Sequence, residues 1–245
     1  TAISCCSGPP CHHACANRRG PWPVPTIGRA RVCAVSSASR SFAPCPFPAA
    51  LVYEVNQLPA DAIVSPDLPV QRLWTFDGIS PGPTYVARYG TPVLIRNYNR
   101  LPADNGGFGL RSVTTHLHNG HTPSESDGFP CDYFAAGQYY DQYYPNQLAG
   151  FLSTHQATNG DINEALSSLW YHDHRDGFTA QNVYKGLLGH YILFNDRDTG
   201  DETTGFRLPS FPDYDIPMMF ADRCFDAETG ELVFDTFNID GILGD

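Results

Sequence analysis

Two histidine triplets have the residue types and spacing to do chemistry. One is His116-Leu117-His118, within TTHLHNGHTPSESDG, and the other is His172-Asp173-His174, within LWYHDHRDGF. In an extended strand the side chains at i and i+2 leave the same face about 7 Å apart, so each triplet aims two imidazoles into one space. Two such strands side by side present four. Clustered neutral imidazoles make a metal site, and imidazole suits copper, zinc, iron and nickel. One triplet alone is a weak signal, because an isolated histidine is usually a surface residue or a satisfied core residue. Two triplets holding four of the nine histidines, both bordered by strand-like sequence, carry more weight.

The elements that must position them read as short strands. Leu51–Val55 and Val70–Phe76 are strand-like, the second ending at Asp77-Gly78. Ser80-Pro81-Gly82-Pro83 is a turn, and Tyr85–Arg88 and Pro92–Tyr98 alternate as half-buried strands do. Ser112–His118 and Ser168–His174 carry the triplets, and Gly189–Phe194 is an apolar, aromatic strand. Residues 122–165 read as long and turn-rich, with one short helix near Ile162–Leu166. A further strand is expected over Asp213–Asp222, after a break at Pro209 and Pro212, and it holds Met218 and Met219. Many short strands, no long helical pattern and no repeat predict an all-β sandwich.

The chain of 245 residues has a formal charge of −11 and a single lysine, Lys185. Phosphate binding needs clustered Lys and Arg, so the charge argues against a nucleic-acid partner. No apolar run approaches the roughly 20 residues needed to span a bilayer. The charge is uneven: residues 1–48 hold five Arg, no Asp or Glu, and six of the eight cysteines. That segment lacks periodicity and the apolar stretch of a secretory signal. A disulfide-stapled extension, a zinc knot using His12 and His13, and a non-native leader are all open. The cysteine spacing fits no zinc pattern well, which favours the leader and predicts disorder.

Three segments, TFDGISPGPTYVARYGTPVLIRNYNRLP (75–102), TTHLHNGHTPSESDGFP (114–130) and LWYHDHRDGFTAQNVYKGLLGHYILF (169–194), resemble the N-terminal domain of multicopper oxidases. The likeness is strongest to the bacterial branch with spore-coat laccases, bilirubin oxidases and phenoxazinone synthases, and it covers about 50–245. It implies a cupredoxin-like Greek-key β-sandwich at 49–205 and the truncated start of a second cupredoxin domain at 206–245. It also implies an enzyme that oxidises phenols, aromatic amines or metal ions at a blue copper and reduces O2 to water at a trinuclear copper cluster. Position by position, His116 matches a type 2 copper ligand, and His118, His172 and His174 match type 3 ligands. His118 and His172 would share one copper and His174 would serve the other. Asp127 matches an acid near the cluster that relays protons to reduced oxygen, or orients a ligand imidazole or bound water. Asp173, between two ligands, should face the other way, either as a turn or surface acid or in support of the ligands. His121 and His155 match no ligand and read as surface or pocket residues.

The family's cluster takes eight histidines, four from its last domain, which also carries His-Cys-His for the blue copper. No His-Cys-His occurs here, and Cys131 and Cys224 have no adjacent histidine. The resemblance therefore leads us to expect an N-terminal fragment that needs a missing C-terminal cupredoxin domain and has little turnover alone. By family resemblance the compartment leans to periplasm, spore coat or exterior. Two rivals compete. His116-x-His118-x2-His121 also resembles the zinc motif of metallo-β-lactamase-fold hydrolases, but Gly120 stands where that motif has Asp, and the second triplet is left unexplained. A single cupredoxin-like copper-binding or carrier module is the non-enzymatic alternative, and it should end near residue 200.

Overall fold

The computed structural model describes residues 49–150 and 154–234. The expectations for residues 1–48, and the end of the 206–245 segment, lie outside the described residues. Eight strands form two four-stranded sheets. One sheet holds β1 (Leu51–Ala62), β2 (Gln71–Phe76), β4 (Val93–Asn99) and β6 (Tyr139–Tyr144), in the order β2-β1-β4-β6. The other holds β3 (Gly82–Arg88), β5 (Thr115–His118), β7 (Ser168–Asp173) and β8 (Leu188–Phe194), in the order β3-β8-β7-β5. β1 runs parallel to β4, and β3 parallel to β8; the other pairs within these sheets are antiparallel. The chain passes back and forth between the sheets, which gives the expected all-β, cupredoxin-like sandwich.

Alternation builds the core. Val93, Ile95, Asn97 and Asn99 of β4 are buried, while the residues between them are half-exposed. Val55, Trp74 and Phe76 from the first sheet meet Tyr85, Leu117, Tyr171, Tyr191 and Leu193 from the second. Fully burying a side chain of this size contributes about 1.5–3 kcal/mol, so this layer dominates the stability. Tyr171 fits because two glycines make room: a Cβ at Gly82 or Gly189 would overlap its ring or hydroxyl.

Polar bonds also cross the core. Gln57 and Gln142, both fully buried, donate to the Thr115 hydroxyl (3.0 Å) and the Thr115 carbonyl (3.4 Å). Asn97 donates to the Gln142 side-chain oxygen at 2.6 Å. In a medium of low dielectric such bonds are strong and costly to leave unmade, so they hold β5 in one register against the opposite sheet.

Four sequence expectations change. β1 runs on through Pro59 to Ala62. It pairs with β4 only over Leu51–Gln57, so Pro59 lies where β1 has an open edge and needs no N–H there. The turn-rich stretch 122–165 contains β6, alongside a short 3-10 turn at Ile162–Glu164. A short helix, α1 (Thr179–Tyr184), links β7 to β8. Asp213–Asp222 forms no strand: Tyr214, Ile216, Met218 and Phe220 are exposed, with no neighbouring strand among the described residues to complete their hydrogen bonds. A two-strand hairpin follows instead, β9 (Cys224–Phe225) with β10 (Leu232–Val233). It docks on the sandwich through Tyr184, which donates to Val233 O, and Gln71, which donates to Gly230 O. Among the described residues no helix is long and apolar enough to cross a membrane.

Candidate metal centre

β5 and β7 pair antiparallel with Thr115 opposite Asp173, His116 opposite His172, Leu117 opposite Tyr171 and His118 opposite Trp170. Directly opposed residues share a face, so the pleat sorts the two strands cleanly. Thr115, Leu117, Tyr171 and Asp173 turn inward. His116, His118, Trp170 and His172 turn outward together, and His174 follows just past the end of β7, its N–H bonded to Thr114 O at 2.8 Å. The His116 ring centroid lies 5.6 Å from that of His118, 5.4 Å from His172 and 5.1 Å from His174. His172 and His174 are 5.5 Å apart. All four predicted histidines thus converge. One ring nitrogen from each of His116, His118 and His172 lies within 4.8 Å of the other two.

Hydrogen bonds fix which nitrogen two of the four rings present. His172 Nδ1 lies 2.7 Å from the Asp173 carbonyl, which can only accept, so Nδ1 carries the proton and Nε2 is free to bind. His116 Nδ1 is likewise bonded to the Asp127 carbonyl, leaving Nε2. His118 Nδ1 and His172 Nε2 face each other at 3.4 Å. Two nitrogens each about 2.0–2.1 Å from a shared ion at tetrahedral angles are separated by about 3.3–3.4 Å. His174 Nδ1 is buried with no hydrogen-bond partner. A buried polar atom without a partner is costly, and a metal ion in the cluster is one way to satisfy it. Burial, reinforced by the neighbouring rings, pushes His172 down to about 4 and His118 below its usual value, so both rings are neutral at physiological pH, the form that can bind a metal. The set is imidazole throughout, which fits copper among the metals that imidazole suits.

Asp127 sits beside the cluster, its Oδ1 3.4 Å from His116 Nδ1 and accepting the Thr122 hydroxyl at 2.6 Å. The glycine after it explains the Ser-Asp-Gly run. Gly128 has φ +74°, and a Cβ there would overlap the Thr115 carbonyl and the His116 amide. Only a bare backbone lets this turn lie flat on the strand that carries His116.

Asp173 does face the other way, but it is no surface acid. It is fully buried, accepting N–H bonds from Thr114 (2.9 Å), Arg175 (3.1 Å) and the Asn182 amide (2.9 Å). His121 stays apart, with Nδ1 3.4 Å from Gln147 O, and His155 is exposed beside Asp161. The zinc-hydrolase pattern loses its third histidine accordingly.

Two residues on the histidine face were missed by sequence reasoning. Trp170 stacks on His172 with centroids 4.1 Å apart and lies 5.0 Å from His118. His190 is in register with Trp170 across the β7–β8 ladder, and its Nε2 is buried without a partner. The two-residue period Trp170-x-His172-x-His174 was the signal available for Trp170; His190 becomes visible only once β7 and β8 are paired.

A cupredoxin-like sandwich with four imidazoles gathered on one ladder defines a metal-binding domain of the copper-protein type. The family model described as multicopper oxidase matches residues 60–198, more than half of the sequence. The chain belongs to the multicopper oxidase family, which implies copper. It is 31% identical over 204 residues to a laccase of Bacillus subtilis (strain 168), covering 74% of this chain and 35% of that protein. It is 31% identical over 194 residues to a bilirubin oxidase of Albifimbria verrucaria, covering 79% of this chain and 29% of that protein. A crystal structure of a multi-copper oxidase from Pseudomonas thermotolerans aligns with 65% of this chain and 30% of that chain, at 22% identity and a TM-score of 0.45. The chain thus spans about a third of the length of the curated relatives it matches.

Proposed function

We propose that the chain contributes four histidine ligands to the oxygen-reducing copper cluster of a laccase-like oxidase. His116 serves as a type 2 ligand and His118, His172 and His174 as type 3 ligands, with His118 and His172 on a common copper. The observation that carries this reading is the convergence of the four rings on one face of the β5–β7 ladder, with His118 Nδ1 and His172 Nε2 3.4 Å apart. When bound, copper supplies one-electron redox chemistry, and four such electrons reduce one O2 to water.

The chain's own residues orient and dry the site. The Asp127 and Asp173 carbonyls hold His116 and His172 with Nε2 forward, and Trp170 shields one side. Reduction of O2 to water consumes four protons, and the Asp127 carboxylate, beside His116 and part-exposed, is placed to relay them from solvent. The electron source is a phenolic or aromatic amine substrate, in keeping with laccase and bilirubin oxidase relatives. No His-Cys-His is present in these 245 residues, so the copper that takes electrons from substrate belongs to a further cupredoxin domain. Residues 206–245 are read as the beginning of a second domain, and Tyr214, Ile216, Met218 and Phe220 leave an exposed apolar surface within it.

Copper titration of the chain tests the reading. His116→Ala and His172→Ala should each weaken copper binding at least about tenfold, while the chain alone gives no laccase turnover. Unchanged binding in both variants would show that the ligands lie elsewhere.

A further inference from the structure

Behind the histidine face lies a second set of buried polar bonds, centred on a residue of the short helix that follows β7. Asn182, on α1, is fully buried. Its amide donates to Asp173 Oδ2 at 2.9 Å and to Leu110 O at 3.0 Å, and its oxygen accepts from Leu110 N at 2.9 Å. The Asp173 carboxylate also accepts from Thr114 N, two residues before His116, and from Arg175 N, one residue past His174. Its backbone is held as well: Asp173 N donates to Leu187 O, and Leu187 N donates to Asn182 O, both at 3.1 Å. The carbonyl of this same residue accepts the His172 Nδ1 proton.

We infer that Asn182 is a positioning residue for the metal centre: by holding Asp173 from behind, it fixes the carbonyl that sets the His172 ring tautomer and tilt. The inference rests on the four-histidine reading above. Its physical basis is that a ligand imidazole is oriented by whatever accepts its second N–H, and that acceptor is only as rigid as its own supports. Asp173 sits between two ligand positions, so any rotation of its peptide moves His172 and His174 together. Asn182 is suited to the task because its amide can donate to the carboxylate while both of its polar atoms are satisfied by Leu110.

Asn182 also tethers the loop ending at Leu110, and a loop tether alone would leave the metal centre untouched. Gln181 separates the two roles, since it accepts Gly109 N at 2.8 Å and makes no bond to Asp173. The experiment titrates Cu(II) into the full chain against a competing chelator and records the side-chain 15N signals of His172 in the metal-free form. Asn182→Ala should weaken Cu(II) binding by about 10–100-fold and turn a single Nδ1–H tautomer of His172 into a mixture, whereas Gln181→Ala changes neither. Asn182→Asp, which keeps the side-chain volume and sets a carboxylate against Asp173, should also weaken binding. Asp173→Asn combined with Asn182→Asp, which restores an amide–carboxylate pair, should recover part of that loss.

Binding in both Asn182 variants within about twofold of the parent, with an unchanged tautomer, would overturn the inference, as would an equal loss in Gln181→Ala. If His172→Ala and His174→Ala bind Cu(II) as tightly as the parent, the four-histidine reading itself fails. If those two lose binding and the Asn182 variants do not, only the positioning role fails.

Discussion

His116 and His172 stand directly opposite each other in the β5–β7 ladder, their ring centroids 5.4 Å apart. The gathering of the histidine rings is therefore a property of strand register. A slip of one residue would send every side chain of a strand to its other face, turning His172 toward the core and Tyr171 onto the histidine face. Gln57 and Gln142, bonded to Thr115 from the opposite sheet, resist that slip.

Gly128→Ala should loosen the centre from outside the ladder. The added methyl meets the Thr115 carbonyl, and the positive φ disfavours any side chain. We expect a loss of about 1–3 kcal/mol in urea unfolding, together with weaker copper binding as the His116 support shifts. Unfolding indistinguishable from the parent would show that the turn can lift away freely.

Tyr171 and Gly189 should be coupled. A Cβ at Gly189 overlaps the Tyr171 ring, so Gly189→Ala costs about 1–3 kcal/mol in the native background and clearly less when Tyr171 is already Leu. Thermal unfolding of the two single variants and the double variant measures this. Simple additivity would mean the clash is relieved elsewhere.

Arg96 and Asp141 face each other across β4 and β6 and pair through two bonds, of 2.7 and 2.8 Å. Asp141 is buried, and its hydrogen bond raises the Arg96 pKa further above its ordinary value. Asp141→Ala leaves a half-buried guanidinium without its partner and should cost about 2–4 kcal/mol, with Asp141→Asn between it and the parent. A loss below about 1 kcal/mol, the range of an exposed pair, would contradict this.

Alkaline stability should reflect Lys185. Its ammonium is buried under the Trp74 and Phe108 rings and donates to the Asn105 and Phe108 carbonyls. Burial pushes its pKa down from 10.5 to about 8, opposed by Asp104. Between those values the unfolded chain binds more protons than the folded one, so this group's contribution to stability rises with pH. Tyr85, Tyr144, Tyr171 and Tyr191 act oppositely, since burial raises their pKa values above 10.0 and the unfolded chain sheds its phenol protons first. Denaturation midpoints should climb between pH 8 and 10 and fall beyond, and Lys185→Met should remove the climb. A midpoint that falls across pH 8–10 in the parent but not in Lys185→Met would refute the sign.

The histidine face was legible because a strand's period is two, and His-x-His reports it directly. The strand around Val93 was legible for the same reason, and the one around Leu193 as a short apolar, aromatic run. β6 was not, since YYDQYY shows no alternation and carries two polar residues at its centre. Asp141 and Gln142 belong there only because Arg96, Asn97 and Thr115 receive them, and such long-range partners leave no local trace. α1 is only six residues long, too short for a helical period to register. Asp173 was half-read: the pleat gives its direction, but its full burial depends on donors from Thr114 and Asn182. The strand expected at Asp213–Asp222 illustrates the reverse case, in which β-like residues stay irregular without a neighbour to pair with.

The His116 ring leans on the main-chain oxygen of Asp127, and Gly128 presses that main chain onto β5. Exchange of the acid for its amide therefore leaves the imidazole's anchor standing. Whatever such an exchange alters then traces to the side chain and its two contacts, the Thr122 hydroxyl and the edge of the His116 ring, and not to loss of that anchor.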